Sequence, residues 1–474
     1  MHYLSTRDPR PQPHRFSFEE VLVAGLAEDG GLYVPDCLPT LSAEALRGHL
    51  GLRYAQLASR ILALFAGDAL SLSELGPLAE QAYRGFRHAA VAPLVQLDQR
   101  LWLLELFHGP TLAFKDLALQ FVGLLFDKAL ARRREHATII GATSGDTGSA
   151  ALAACRDREA IDIFILYPHG RISEVQRRQM TTVESANAHA IAIEGTFDDC
   201  QDLVKALFAD AELRRALNLA AVNSINWARI AAQTVYYFAA GAALGSPERA
   251  VSFSVPTGNF GNVYAGHIAR LMGLPIARLV IGTNRNDILV RYIASGDMSI
   301  APVEPSLSPS MDIQVSSNFE RLLFELKGRN GAAVAESIAG FRRTGTLFKD
   351  DQAWQAARGL FSARKVDDTL TMQTIAETYA RSGTLIDPHT AVAVAAANAE
   401  LGAQMDGTSM VALGTAHPAK FPDAVERATG IRPARPQALG ELFEKPERIT
   451  ILPNDFDAVR RFIRAHARRA GAAA

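Results

Sequence analysis

From about residue 96 to residue 413, short apolar runs alternate with polar or helix-patterned stretches. Leu101–Leu106, Ala137–Ile140, Ile161–Leu166, Ala190–Ile193, Ala250–Val255, Ala277–Ile281 and Met410–Leu413 have the length and composition of strands covered on both faces. Between them lie an alanine-rich helical segment, Ser149–Cys155, and a helix predicted from Lys115 to about Leu130. Short strands alternating with helices predict parallel or mixed sheets flanked by helices. The chain before residue 96 reads as a separate, helical unit. A helical pattern over Phe18–Ala27 is stopped by Gly30-Gly31 ahead of Leu32-Tyr33-Val34-Pro35, and more helix follows through Gln81–Arg84 to a turn at Ala92-Pro93. The Pro/Ser-rich segment Ala301–Pro309 is expected to be a surface loop. Phe456–Arg469 reads as a basic amphipathic helix, a solvated cap, followed by an alanine tail expected to fray.

Composition narrows the class. The 474 residues call for two to four structural units, and 48% hydrophobic with 21% charged residues is the balance of an ordinary globular protein. Lys+Arg (49) and Asp+Glu (50) leave a formal charge of −1, so nothing global drives the chain toward nucleic acid or an anionic membrane. Cys37, Cys155 and Cys200 form no C-x-x-C pattern, so neither a zinc site nor a disulfide framework, and no other metal, is expected. The opening Met1–Arg7 lacks a basic stretch followed by an apolar one. Apolar runs such as Ala391–Ala397 fall short of the roughly 20 residues that span a bilayer. A cytoplasmic protein is expected.

Three loops carry candidate chemistry, each expected where open α/β sheets bind ligands, beyond the carboxyl ends of strands. In His108–Asp116, Lys115 stands in an apolar surround at a helix start, and both settings favour its neutral, nucleophilic amine. The same spacing suits a lysine whose head simply reaches water. Gly258-Asn259-Phe260-Gly261-Asn262 lies between a strand and a helix, where backbone N–H groups can cradle a phosphate; it also suits a plain turn. Ser144-Gly145-Asp146-Thr147-Gly148 offers hydroxyls, N–H groups and one carboxylate at a helix start, fit for an amino-acid carboxylate, with Asp146 equally readable as a helix cap. Gly414–Pro418 is placed to add the hydroxyl of Thr415 and the imidazole of His417. A lysine, a phosphate cradle and a carboxylate cradle together point to a pyridoxal-phosphate enzyme with the cofactor as a Schiff base on Lys115.

Read in order, these segments resemble the threonine synthase family over nearly the whole chain. The resemblance is carried by Tyr3–Arg7, Phe18-Glu19-Glu20-Val21, Asp29–Tyr33, His108–Asp116, Gly141–Gly148 and Pro256–Asn262. Met311-Asp312-Ile313 with Ser316–Arg321 match the longer branch of fungal and many bacterial members, and Asp387–Ala391 and Thr415–Phe421 match the family further downstream. One departure is Asp8, where the family's opening signature continues with glycine.

The resemblance implies an α/β fold of type II, like tryptophan synthase β, with two parallel or mixed sheet domains and a helical N-terminal domain. The limits expected are 1–95 for the N-terminal domain, 96–225 for the lysine and substrate region, 226–430 for the cofactor-phosphate region and 431–474 for a helical C-terminal segment. It implies a lyase that makes L-threonine and phosphate from O-phospho-L-homoserine and water, the last step of threonine biosynthesis, acting as a monomer or dimer. Lys115 would carry the cofactor and move protons. Gly258, Asn259, Phe260, Gly261 and Asn262 would hold its phosphate, and Thr415 its ring nitrogen. Thr143, Ser144, Asp146, Thr147, Ser317, Asn318 and Arg321 would contact substrate. A phospholyase releasing a keto acid is the alternative of the same fold, and a non-catalytic relative the alternative of another class.

Overall fold

Every apolar run predicted as a strand is one, because a strand buried on both faces has no polar side to show. All residues of Ile161–Pro168 and of Val251–Pro256 are buried. The computed structural model describes residues 1–220, 224–403 and 407–468; Arg469 and the alanine tail lie outside the described residues.

The strands sort into two larger sheets. One runs Phe361–Lys365, Ile276–Thr283, Val251–Pro256, Ser409–Gly414, Leu101–Glu105, Leu94–Gln96, parallel throughout except for the last strand. The other runs Thr450–Pro453, Ala188–Glu194, Ile161–Pro168, Ala137–Ala142, Leu219–Ala220, all parallel. Order along the chain and sheet membership do not coincide. Leu101–Glu105, which opens the lysine region, pairs with Ser409–Gly414, and the C-terminal segment, expected to be helical, adds Thr450–Pro453 to the smaller sheet before the helix Phe456–His466. The helix Lys115–Arg133 buries apolar residues around its circumference, and Gly123 lets the carbonyl of Ala154 approach, since a Cβ there would lie 2.8 Å from it.

The Pro/Ser-rich segment is a surface loop only in part. Val303 is exposed, but Ser308 and Met311 are buried, because Asn284, Asn286, Ser306 and Asp312 form a hydrogen-bonded network that draws the loop inward. That network places Ser310 and Met311 in the wall of the cleft described below.

The N-terminal unit pairs Tyr3–Ser5 antiparallel with Tyr33–Pro35 and packs the helices Phe18–Ala24, Ala43–Arg47, Tyr54–Ala66 and Leu72–Tyr83 around them. Tyr3 is its pivot: its ring lies 6.1 Å from those of Phe18 and Trp227, and its hydroxyl donates to the carbonyl of Phe65 at 2.6 Å. Glu320 ties this unit to the body, accepting from Thr6 Oγ1 at 2.6 Å and Arg7 Nε at 2.9 Å. Removing one partner of a buried pair strands the other charge. Glu320→Ala is therefore expected to lower stability by about 3 kcal/mol, seen as an earlier urea midpoint; an unchanged midpoint would show the tie to be dispensable. Asp8 stands apart from this tie: its carboxylate accepts from Arg10 Nε at 2.8 Å and from the backbone N–H of His14 at 2.9 Å, bracing its own turn.

Candidate active site

Four strand ends supply the site. The loops after Leu101–Glu105, Ala137–Ala142, Val251–Pro256 and Ser409–Gly414 converge on a cleft of about 720 Å³, open mouth included. That size suits a small-molecule site.

Lys115 is the first residue of its helix, and its side chain is only 12% exposed. Its loop is held from both sides, by the Phe114 N–H on the Thr415 carbonyl at 2.9 Å and by Asp116, which accepts from the Thr111 N–H at 2.8 Å and the Thr111 hydroxyl at 2.7 Å. Gly109 is required by this packing, because a Cβ there would lie 2.4 Å from that of Asp116. Burial pushes the Lys115 ammonium below the usual lysine range; Asp146 opposes that, while Lys420 and Arg229 reinforce it. Burial raises the Asp116 carboxyl to about 6, against its hydrogen bonds from Thr111.

Asp146 sits at the first helical position after Gly145 and caps nothing. Its Oδ1 lies 2.6 Å from Lys420 Nζ and accepts from Gln176 Nε2 at 3.0 Å; its Oδ2 lies 3.8 Å from Lys115 Nζ. Burial alone would raise this carboxyl, but the charges of Lys420 and Lys115 hold it well below the usual range. Gly145 makes the turn possible, with φ +138° and the Gln176 side chain where a Cβ would stand.

The loop Gly258–Asn262 enters the helix Gly261–Leu271 through Phe260 in the left-handed region, φ +65°. That turn leaves the N–H groups of residues 258–262 without an acceptor among the described residues. Asn262 is oriented by the Tyr236 and Tyr237 hydroxyls, which donate to its Oδ1 at 2.6 and 3.0 Å, and its buried Nδ2 has no partner. Unsatisfied donors gathered at a helix N-terminus are the donor set of a phosphate.

The expected substrate residues divide. Asp146 and Thr147 line the cleft together with Lys115, Gly258–Asn262 and Thr415. Thr143 lies behind it, its hydroxyl accepting from the N–H groups of Gly145 and Gly148 at 2.9 Å, and Ser144 is exposed. Ser317 and Asn318 stand behind the phosphate loop, where the Asn318 N–H donates to the Asn259 carbonyl at 3.1 Å. Arg321 is neither in the cleft nor on the surface. Its buried guanidinium donates to Tyr33 O, Asn318 Oδ1 and Ile225 O, locking the N-terminal unit in place. His417 turns away to cap Ala419 N and pack against Phe107, and burial lowers its imidazole to about 4.

Ser224, Arg229, Gln233 and Ser310 line the cleft but belong to no segment singled out in the sequence, and His389 entered only as part of Asp387–Ala391. Arg229 Nε and Nη1 have no partner among the described residues, although the residue is 3% exposed. Burial lowers its guanidinium to about 10. The signal was present: Arg229 is the one charged residue in Trp227–Ala243, a helix otherwise buried nearly all round. His389 gives Nδ1 to Asp387 at 2.7 Å, leaving Nε2 to accept the Ser310 N–H at 3.3 Å.

An amine at a helix start opposite a cradle of unpartnered N–H donors, between two parallel-stranded units, defines a pyridoxal-phosphate-dependent enzyme of fold type II, and the family model for pyridoxal-phosphate dependent enzymes matches residues 86–347. Models for the threonine synthase N terminus and the threonine synthase C-terminal region match residues 2–83 and 390–463. The threonine synthase of Pseudomonas aeruginosa is 54% identical over 99% of both chains, and that of Saccharomyces cerevisiae 42% identical over 90% of this chain and 88% of the other. The crystal structure of the PLP-bound threonine synthase from Brucella melitensis superposes with a TM-score of 0.95 at 49% identity, covering 99% of this chain and all of that one. The yeast threonine synthase structure follows at a TM-score of 0.93 and 39% identity, covering 98% of each. The chain belongs to the threonine synthase family.

Proposed function

We propose that Lys115 is the lysine that carries pyridoxal phosphate in the family's reaction, which turns O-phospho-L-homoserine and water into L-threonine and phosphate. The observation that carries this reading is the lowered, nearly enclosed Lys115 amine facing a cradle of unsatisfied N–H donors across one cleft. The residues present fit the cofactor. Gly258, Asn259, Phe260, Gly261 and Asn262 would hold its phosphate through backbone N–H groups and the Asn262 amide, and Thr415 would meet its ring nitrogen with a neutral hydroxyl. When bound, it supplies an electron sink that lets protons leave the substrate's Cα and Cβ as the γ-phosphate departs.

The chain's own groups do the rest. Lys115, as an amine, takes the Cα proton and returns protons in later steps, which needs a group that stays deprotonated at rest. Thr147 and the N–H groups at the start of Asp146–Cys155 lie where the substrate carboxylate can be received. Arg229 supplies the cation for the substrate phosphate, since it is buried, unpaired and in the wall of the same cleft. His389, held by Asp387 at Nδ1 and accepting the Ser310 N–H at Nε2, fixes that wall of the cleft. Thr143, Ser144, Ser317, Asn318 and Arg321 shape the loops that carry these groups.

The near-zero formal charge supports a protein that needs no nucleic-acid or membrane partner, and we place it in the cytoplasm as a monomer or dimer. No helix among the described residues is long and apolar enough to cross a membrane. The chain divides at residues 95, 225 and 430 in sequence order, with Leu101–Glu105 and Thr450–Pro453 crossing those limits to complete their sheets. The direct test is incubation of the cofactor-loaded protein with O-phospho-L-homoserine, following phosphate and the organic product. Phosphate with stoichiometric L-threonine is expected; phosphate with 2-oxobutyrate would overturn the hydration step.

A further inference from the structure

Asp146 divides its two oxygens between two lysines of different standing. Lys115 faces the cleft, whereas Lys420 is fully enclosed and does not line it. The Lys420 ammonium is held by Asp146 Oδ1 at 2.6 Å and by the carbonyl of Thr111 at 3.0 Å. It touches neither the phosphate cradle nor the substrate space, so any effect on chemistry passes through Asp146.

A carboxylate 3.8 Å from Lys115 favours the ammonium form of that lysine, which is the wrong form for attack on a carbonyl or for taking a proton. Lys420 counters this in two ways. Its charge opposes that of Asp146, and its short contact draws the carboxylate toward the loop and away from Lys115. The other charged or titratable groups facing Lys115 are Arg229 from Trp227–Ala243, Asp116 on its own helix and His389 from Pro388–Ala403. Asp116 is turned to Thr111 and His389 to Asp387 and Ser310, so the Asp146–Lys420 pair is the adjustable part of the field.

We propose that Lys420 is a positioning residue that, by binding Asp146, keeps Lys115 a free amine ready for the cofactor and for proton transfer. The inference rests on Lys115 being the cofactor lysine. Apoenzyme is mixed with pyridoxal phosphate at a series of pH values, and the rate of covalent capture is followed by absorbance; the midpoint of its rise with pH marks the Lys115 amine. Lys420→Met is expected to move that midpoint up by about one unit, slowing capture about tenfold on the acidic side. Asp146→Asn is expected to move it down, because Lys420 then acts unopposed. Opposite shifts support the proposal. Midpoints that stay put, or move the same way, overturn it, and a lowered thermal midpoint without such a shift would make Lys420 a structural residue only. If Lys420→Met does not fold, Lys420→Gln is read in the same assay: an upward midpoint supports the proposal, an unmoved or downward one overturns it. Lys115→Ala must abolish capture; persistence would overturn the cofactor assignment itself and not merely the role of Lys420.

Discussion

Lys115→Ala is expected to lose about 10⁴-fold or more in turnover, because one substitution removes both the proposed attachment point of the cofactor and the proposed proton-transfer group. The fold should survive. Asp146, the carboxylate nearest to Lys115, keeps Lys420 at 2.6 Å and Gln176 at 3.0 Å, so no buried charge is stranded by the change. The phosphate cradle is untouched as well, since Gly258–Asn262 is held by Ser316, Asn318 and the two tyrosines. The variant should therefore still bind pyridoxal phosphate, but reversibly and without the absorbance of covalent attachment. Phosphate release and the absorbance of the reconstituted protein check this together. Turnover above about a hundredth of the wild-type rate would sink Lys115 as the acid and base.

Arg229→Met is expected to separate stability from function. A buried guanidinium with two unpartnered nitrogens is a cost to the empty protein, so an apolar side chain of similar length should leave the apoprotein as stable or raise its thermal midpoint. Activity should move the other way. A charge-assisted contact to phosphate in a buried site is worth about 3 kcal/mol, so kcat/KM should fall about 100-fold, chiefly through KM. Inorganic phosphate should protect the wild-type protein against heat more than it protects the variant. A destabilised variant with unchanged kinetics would show instead that Arg229 is a structural residue. Lysine is a poor replacement here, because it cannot present the planar fork that suits phosphate.

The cofactor half of the site was legible because it is local. A lysine at a helix start and a glycine loop between strand and helix are contiguous segments, and the geometry they impose follows from the residues themselves. The strands were legible for a related reason: burial on both faces writes itself as an unbroken apolar run, as in Ile161–Leu166. The substrate half was not. Arg229, alone in an apolar helix, could be read as buried, but only the fold shows that Arg321 is satisfied by Tyr33 and Ile225 whereas Arg229 is left open in the cleft.

By itself, then, the sequence determined the class of fold, the family and the cofactor, and pointed to Lys115 as the amine proposed to hold it, since each rests on short-range patterns. Only the tertiary structure decided the charges. Lys420 meets the carbonyl of Thr111 across 309 residues of chain, and Glu320 meets Arg7 across 313. Sheet membership was decided at the same level, with Leu101–Glu105 and Thr450–Pro453 each joining strands far away in sequence. The physical reason is the same throughout. A side chain's charge is written in its identity, but whether that charge is paired, solvated or left waiting for a ligand depends on what the fold brings opposite it.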